Sequence, residues 1–556
     1  MTRLVTLLDI LGEPEWTSVV ADAAEVDRLI HSADETERVW GCLLDVCRVL
    51  RANGEPAAFE RLTNIPAQVG FYPLLVIGNI LWLARRLGWE QRAAFECLAF
   101  ARNGFDLGYD DLGLEACASA LILDIQGQFQ ITRDPRQSFA VSELYERVAR
   151  KQAARFPKEP GLRAFHPPLH VGLVVSNLVD HVVAYTKTVL HFSRYLDRER
   201  YRLSVYVTEN LSARDHPQFP FGCEQYRSET VGAASIQELK DRDVPVYLAS
   251  RQGSLLDSAV QLADRMAGDA VDIAVFQLGL ACPIDWLVAR LAPVPVKLAI
   301  HIGSTPFVPG LDATLYDNPA NIERESGWGW PDGGERIRLR QGTDLDELRQ
   351  QPSGSRARWN IPAAAVLIGV MSNHVDRRLS ADYMQVIADT LRSHAHAWFI
   401  VFGSDALAEK LSVFTAAGVV ERVRFGGRQT QAGAALKMLD IYANEFPVGG
   451  SQSVIEAMAC GVPVVALRWS QAHAESAGAE AVGTPYAIET ADMTAYRERL
   501  ETWVVDADQR RAAGQALKRR AETLFSVKIY VSEVLGLAER MLGKKLEKQA
   551  VVMTQM

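Results

Sequence analysis

Asp440-Ile-Tyr-Ala-Asn-Glu-Phe-Pro-Val-Gly-Gly-Ser-Gln-Ser-Val-Ile-Glu456, continued by Ala-Met-Ala-Cys-Gly-Val-Pro-Val-Val465, is the stretch from which the fold can be read. Asp440 to Tyr442 looks like the end of a strand. The loop after it closes on Gly449, Gly450, Ser451, Gln452 and Ser453, and the apolar run from Ser453 to Cys460 predicts a short buried helix. Gly461 is placed for the left-handed turn that ends a helix, and Pro463 stops any continuation. Val464 to Leu467 predicts the next strand. A helix start exposes unpaired N–H groups and the positive end of its dipole, so it seats anions. The glycines let a diphosphate approach the backbone, and the hydroxyls of Ser451 and Ser453 can donate to it. Glu456 repels phosphate but can accept from the two hydroxyls of a ribose. Ser453 and Glu456 also spell a capping box, but a capping box does not account for the two glycines.

The pattern on either side is alternating. Downstream of residue 354, strands are expected at Val366–Ser372, Trp398–Gly403, Val423–Phe425, Ile441–Tyr442 and Val464–Leu467, with helices at 508–524 and 529–543. Upstream, His170–Asn177 is a continuous apolar run of the kind found in a parallel strand covered on both faces. A helix at 184–196 and a strand at Tyr201–Thr208 complete a βαβ unit. Strands at 244–248, 271–277 and 296–300 alternate with helices at 254–267 and 284–291. The polar segment Gln341–Gly354 reads as a linker. Residues 1–165 carry helical periodicity at 40–50, 73–87, 91–102 and 113–124. They show no convincing 34-residue self-similarity, and a divergent helical array stays open. The expected organisation is α/β: an all-helical domain at 1–165, then Rossmann-like, doubly wound domains at 166–345 and 355–545 facing a cleft.

Composition narrows the class. A net charge of −9 speaks against a nucleic-acid binder, which needs a basic face. The seven cysteines form no CxxC pair and sit mostly in apolar helical stretches, so they read as free thiols of a reducing compartment. The longest apolar run, Val76–Ala84, is too short to span a bilayer. Asp9 and Glu13 interrupt any signal-like run at the start. A cytoplasmic protein with no membrane span is expected.

Asp-Ile-Tyr, Phe-Pro-x-Gly-Gly and Glu-Ala-Met-x-x-Gly-Val-Pro-Val-Val together resemble the donor-binding region of GT-B glycosyltransferases. More narrowly, the chain resembles the O-GlcNAc-transferase-like family, which includes bacterial cytoplasmic protein N-glycosyltransferases with a helical N-terminal domain. His170–Asn177 with Asp180-His181 and Tyr201–Tyr206, and Pro295–Gly303 with Leu311–Asp317, resemble the family's first α/β domain, so residues 169–490 are covered.

The resemblance implies site residues. His181 takes the place of a histidine beside sugar and acceptor, as a base or a positioning group, with Asp180 able to orient it. His301, at a strand end, is placed near acceptor or sugar. Arg378, with Arg377 as the alternative, replaces a lysine that holds the donor diphosphate. An arginine fork suits that task and stabilises the departing charge. The Phe425–Thr430 loop, which contains Arg428, corresponds to the base-binding loop, with Gln429 or the local backbone reading the base.

The chain departs from the family at Gly-Ser-Gln-Ser, where Gly-His-Thr-Thr is frequent, and at Glu456, where eukaryotic members have aspartate. Val448 stands where retaining GT-B enzymes of the common bacterial type carry a glutamate, which favours inversion. Asp241-Arg-Asp243 and Asp344-Leu-Asp346 only superficially resemble a metal-binding DxD, so no metal or other cofactor is expected. The implied reaction moves a glucose- or GlcNAc-type sugar from UDP to a Ser/Thr or Asn side chain of a protein or peptide. A glycan, lipid or small-molecule acceptor, and a non-catalytic sugar-nucleotide binder, are the rival readings.

Overall fold

Two parallel sheets face one another across the junction that the polar linker was expected to make. The computed structural model describes residues 22–33, 35–64, 80, 83–84, 87–126, 131, 134–156, 167–176, 178, 184–208, 233–249, 254–278, 282–301, 307–317, 322–323, 325, 334–372, 375–403, 408–470, 473–489 and 491–555. Asp180, His181 and the side chain of Arg377 lie outside them, as do Cys223 and most of the helix expected at 73–87.

The described helices of the first region are α1 (Ala23–Ile30), α2 (Glu35–Thr63), α3 (Glu90–Asp106), α4 (Asp110–Gln126) and α5 (Pro135–Gln152). The first sheet has seven strands: β1 (Leu169–Val175), β2 (Tyr201–Val207), β3 (Val246–Leu248), β4 (Ile273–Leu278), β5 (Val296–His301), β6 (Ala313–Tyr316) and β7 (Glu335–Arg338). Their order is β3-β2-β1-β4-β5-β6-β7, every pair parallel. Helices α6 (Ala184–Tyr195), α7 (Leu255–Gly268) and α8 (Pro283–Leu291) cross between its strands. The second sheet holds β8 (Val366–Met371), β9 (Ala397–Phe402), β10 (Val423–Gly427), β11 (Ile441–Ala443), β12 (Val464–Leu467) and β13 (Ala487–Ile488), ordered β10-β9-β8-β11-β12-β13. Both orders reverse direction once, between β1 and β4 and between β8 and β11. A crevice opens at the carboxyl ends of the strands at such points.

β7 and β13 were not anticipated. Glu335-Arg-Ile-Arg338 is a partly exposed edge strand without an apolar run, and β13 is only two residues long. The linker is not bare: Leu345–Gln350 forms helix α9, capped by Asp344, whose Oδ1 accepts from Glu347 N–H at 3.0 Å. That cap, with Tyr195 OH donating to the same oxygen at 2.8 Å, shows Asp344-Leu-Asp346 serving structure.

The helical region is welded to the first α/β unit. Leu44, Phe59, Leu98, Cys117 and Tyr145 share one core with Leu262, Phe276, Trp286 and Leu287. Tyr145 meets Trp286 edge-on at 5.7 Å, and Arg290 Nε donates to Glu146 Oε2 at 2.8 Å. The boundary expected at 545 needs correction. After α10 (Gln452–Ala459) and α11 (Ala507–Leu524), the last helix, α12 (Val527–Gln555), does not end the second unit. Val531, Val534, Ala538 and Met541 of α12 pack on Val171, Phe192, Leu203 and Leu298 of the first. The chain therefore crosses between units twice, and the crossings are hydrogen-bonded to each other. Thr343 N–H donates to Phe525 O at 2.7 Å, and Val527 N–H to Thr343 O at 3.0 Å. Gly342 permits this approach, since a Cβ there would stand 2.5 Å from Val527 Cα.

Candidate active site

The site is assembled at the β8/β11 switch point. β11 is fully buried and hands the chain to Asn444 and Glu445, both 2% exposed. Buried phenols fix this exit: Tyr383 OH donates to Ala443 O at 2.8 Å and Tyr496 OH to Asn444 O at 2.9 Å. Burial pushes both phenols well above their usual range, so they remain donors. Gly449 is required where it stands, because a Cβ would lie 2.6 Å from Asn444 Oδ1 and 2.8 Å from Glu445 O.

Helix α10 starts at Gln452, one residue before the expected Ser453. Ser451 precedes it in helical geometry and makes no side-chain cap. The capping-box reading of Ser453 and Glu456 therefore does not hold. The first intrahelical bond runs from Ile455 N–H to Ser451 O at 2.9 Å, so the N–H groups ahead of it have no helix partner. Ser453 Oγ lies 2.9 Å from the buried hydroxyl of Tyr442. At the far end Gly461 has φ +79°, as its position predicted.

Arg378 reaches this loop from the segment after β8. Its Nη1 donates to Glu445 Oε1 at 3.1 Å, and Asn444 Nδ2 donates to Glu445 Oε2 at 3.1 Å. A Cβ on Gly450 would come within 2.9 Å of Arg378 Nη1 and 3.1 Å of Ser453 Oγ. Guanidinium, glycine and helix start are thus in contact. A guanidinium carries five N–H donors, so one bond to Glu445 leaves most of the fork for a ligand.

Glu456 is 3% exposed and already engaged. Lys187 Nζ, from α6 of the first unit, donates to its Oε1 at 2.6 Å. Gln452 Nε2 donates to the same oxygen at 3.0 Å and lies 3.1 Å from Thr343 Oγ1 of the crossing. Lys187, His191 and Arg194 recur at the spacing that puts residues on one helix face. Arg194 Nη1 reaches Asp344 Oδ2 at 3.3 Å. One side of α6 is therefore a polar latch against the second unit and the crossing.

The base-loop candidates lie apart from this cluster. Arg428 is exposed beyond β10, and Gln429 Nε2 donates back to Gly426 O at 2.6 Å. Three strand spacings separate β10 from β11, roughly 14 Å at the usual interval. His301 is not presented to an open cleft. Its side chain is 1% exposed, stacks on Tyr316 with ring centres 4.8 Å apart, and has Nε2 3.5 Å from Glu325 Oε1.

Residues 365–506 match the family described as glycosyl transferases group 1. A mutant O-GlcNAc transferase from Thermobaculum terrenum matches 99% of this chain over 100% of its own, at 14% identity and a TM-score of 0.58. A glycosyltransferase from Rickettsia africae matches 68% of this chain over 99% of its own, at 11% identity and a TM-score of 0.51. No curated protein matches the sequence. The chain is a glycosyltransferase of the GT-B fold. At these identities the likeness to solved structures is one of fold, while the family match covers the unit that carries Arg378, Glu445 and α10. Among the enzyme's described residues no helix is long and apolar enough to cross a membrane.

The structure brings Arg378, Gly449, Gly450, Ser451, Gln452, Ser453 and Glu456 of this glycosyltransferase together. Sequence reasoning missed Glu445 and Lys187. Glu445 stood in the decisive segment, but an acid beside a phosphate loop reads as repulsive until the arginine it holds is seen. For Lys187, the available signal was its place on the same helical stripe as His191 and Arg194.

Proposed function

We propose that the enzyme moves a glucose- or GlcNAc-type sugar from a UDP-sugar to a Ser/Thr or Asn side chain of a protein, inverting the anomeric carbon. The observation that carries the donor half is the contact of Arg378 with Gly450 at the uncapped start of α10. A diphosphate there meets a positive fork, free N–H groups and no intervening side chain. Glu456 takes the ribose hydroxyls, for which Lys187 must yield. The Arg428–Gln429 loop, about three strand spacings away, takes the base.

In the reaction the acceptor nucleophile attacks the anomeric carbon as the bond to the diphosphate oxygen breaks. The charge gathering on UDP is met by Arg378 and the start of α10, so neither a metal nor another cofactor is required. His181 receives the acceptor's proton or positions the acceptor, with Asp180 as its partner. Val448 leaves no carboxylate where a retaining enzyme of the common bacterial type has one, in keeping with inversion. Six free cysteines among the described residues fit a cytoplasmic setting.

The test is incubation with UDP-glucose or UDP-GlcNAc and synthetic peptides containing Ser, Thr or Asn, read by mass spectrometry and by NMR of the anomeric proton. A peptide gaining one sugar in the β configuration is the expected result. Transfer only to glycans, lipids or small molecules would overturn the acceptor half, and an α product would overturn inversion.

A further inference from the structure

A second cluster of arginines sits beside α10, on the side away from Arg378. At 100° per residue, Ser451 and Ile455 share one stripe of the helix, while Ser453 lies 200° from Ser451. On the Ser451 stripe a cavity of about 30 Å³ is lined by Arg338, Arg340, Ser451, Ile455, Glu480 and Ala481, among others. That is room for two or three waters, and for the oxygens of one small anion.

Arg338 and Arg340 arrive from β7 and the first crossing. Neither guanidinium has an ion pair or hydrogen bond among the described residues. Arg520, on α11, donates from Nε to Ala481 O at 2.9 Å and lies against Gly483. Glu480, the acid on the adjoining helix, is taken up by Arg468. Asp317 lines the cavity as well. Burial, then mutual repulsion with Arg338, holds the Arg340 guanidinium below its usual range. Arg520 is lowered by burial, then by Arg340 and Arg338. Like charges are here drawn together from both units, and the nearby acids offset them only in part: Glu533 acts on Arg340 and Glu480 on Arg520, in each case behind burial and the neighbouring arginines.

We propose that Arg338, Arg340 and Arg520 form an oxyanion site that borders the nucleotide loop at Ser451 but does not include Arg378, and that takes a phosphate or carboxylate group. The bound anion bridges the first crossing to α11. The site stands on its own geometry and does not depend on the donor reading.

The experiment is calorimetric titration of the full chain with inorganic phosphate, and in parallel with succinate. Three proteins are compared: the unaltered chain, the Arg340→Gln, Arg520→Gln double variant, and Arg378→Ala. Saturable binding is expected in the unaltered chain, at least ten-fold weaker in the double variant and within about two-fold in Arg378→Ala. Preference for phosphate over succinate, or the reverse, assigns the anion type. An unfolding midpoint close to the unaltered chain's shows that the double variant is folded. Affinity unchanged in a folded double variant overturns the proposal. So does loss of phosphate binding in Arg378→Ala alone, which would place the anion on the nucleotide loop. Failure of UDP to bind, with phosphate behaving as expected, overturns the donor reading and leaves this site standing.

Discussion

Gly450 shows how much can rest on an absent methyl group. Its missing Cβ is what lets Arg378 Nη1 lie against the loop. Gly450→Ala pushes on the far end of a flexible side chain and not on backbone. Nucleotide affinity should therefore fall about tenfold, one misplaced charge-assisted bond, while the unfolding midpoint stays within roughly 2 °C. Calorimetry with UDP and a thermal melt check both halves, and an equal loss of stability would show the glycine serving the fold alone. The proximity of Arg378 to the glycines was anticipated from two sources: the glycine-rich turn before a helix marks a phosphate loop by residue type, and the family resemblance brought Arg378 to it. Glu445 was not legible, because its meaning depends on an arginine 67 residues earlier that only the folded sheet brings within 3.1 Å.

At the scale of elements, α6 and α10 form the working pair. Lys187 occupies the carboxylate proposed for the ribose. Removing that competitor in Lys187→Met should raise UDP affinity severalfold, whereas Glu456→Gln should lower it. If both variants lower affinity, Lys187 contacts the ligand and does not compete with it. His191, one turn along α6, gives the latch a pH signature. Burial above all holds its ring at about 4, down from 6.5. Between those values the unfolded chain carries a proton that the folded chain refuses, so stability falls as pH drops from 6.5 toward 4. At about 1.4 kcal/mol per pKa unit, the loss relative to His191→Gln reaches ~3 kcal/mol. Denaturant melts of both proteins across that range measure it, and parallel pH profiles would contradict it. Periodicity located both helices correctly. It placed the start of α10 one residue late because the boundary is set by backbone geometry at Ser451, which no side-chain pattern reports.

For the whole molecule, the sequence disclosed two parallel sheets but misassigned one long helix. The apolar face of α12 is plain in the residues between 529 and 543. Nothing local says that it returns to a sheet more than two hundred residues upstream. Val534 is fully buried there, so Val534→Asp places a charge in the core of the first unit and should cost at least ~3 kcal/mol. A fall of roughly 10 °C in the unfolding midpoint is expected, and an unchanged midpoint would mean that α12 is not part of that core.

The same double crossing brings Lys187 to Glu456 and sets the arginine pocket beside α10, so glycine loop, latch and crossings are neighbours by construction. Their shared centre is the proposed seat for a nucleoside diphosphate at Arg378 and α10. Its most direct test is calorimetric titration of UDP into the unaltered chain and into Arg378→Ala. Saturable one-to-one binding, weakened at least ten-fold by the substitution, is the result expected. Absence of UDP binding by the folded, unaltered chain, or equal affinity in the two proteins, would contradict it.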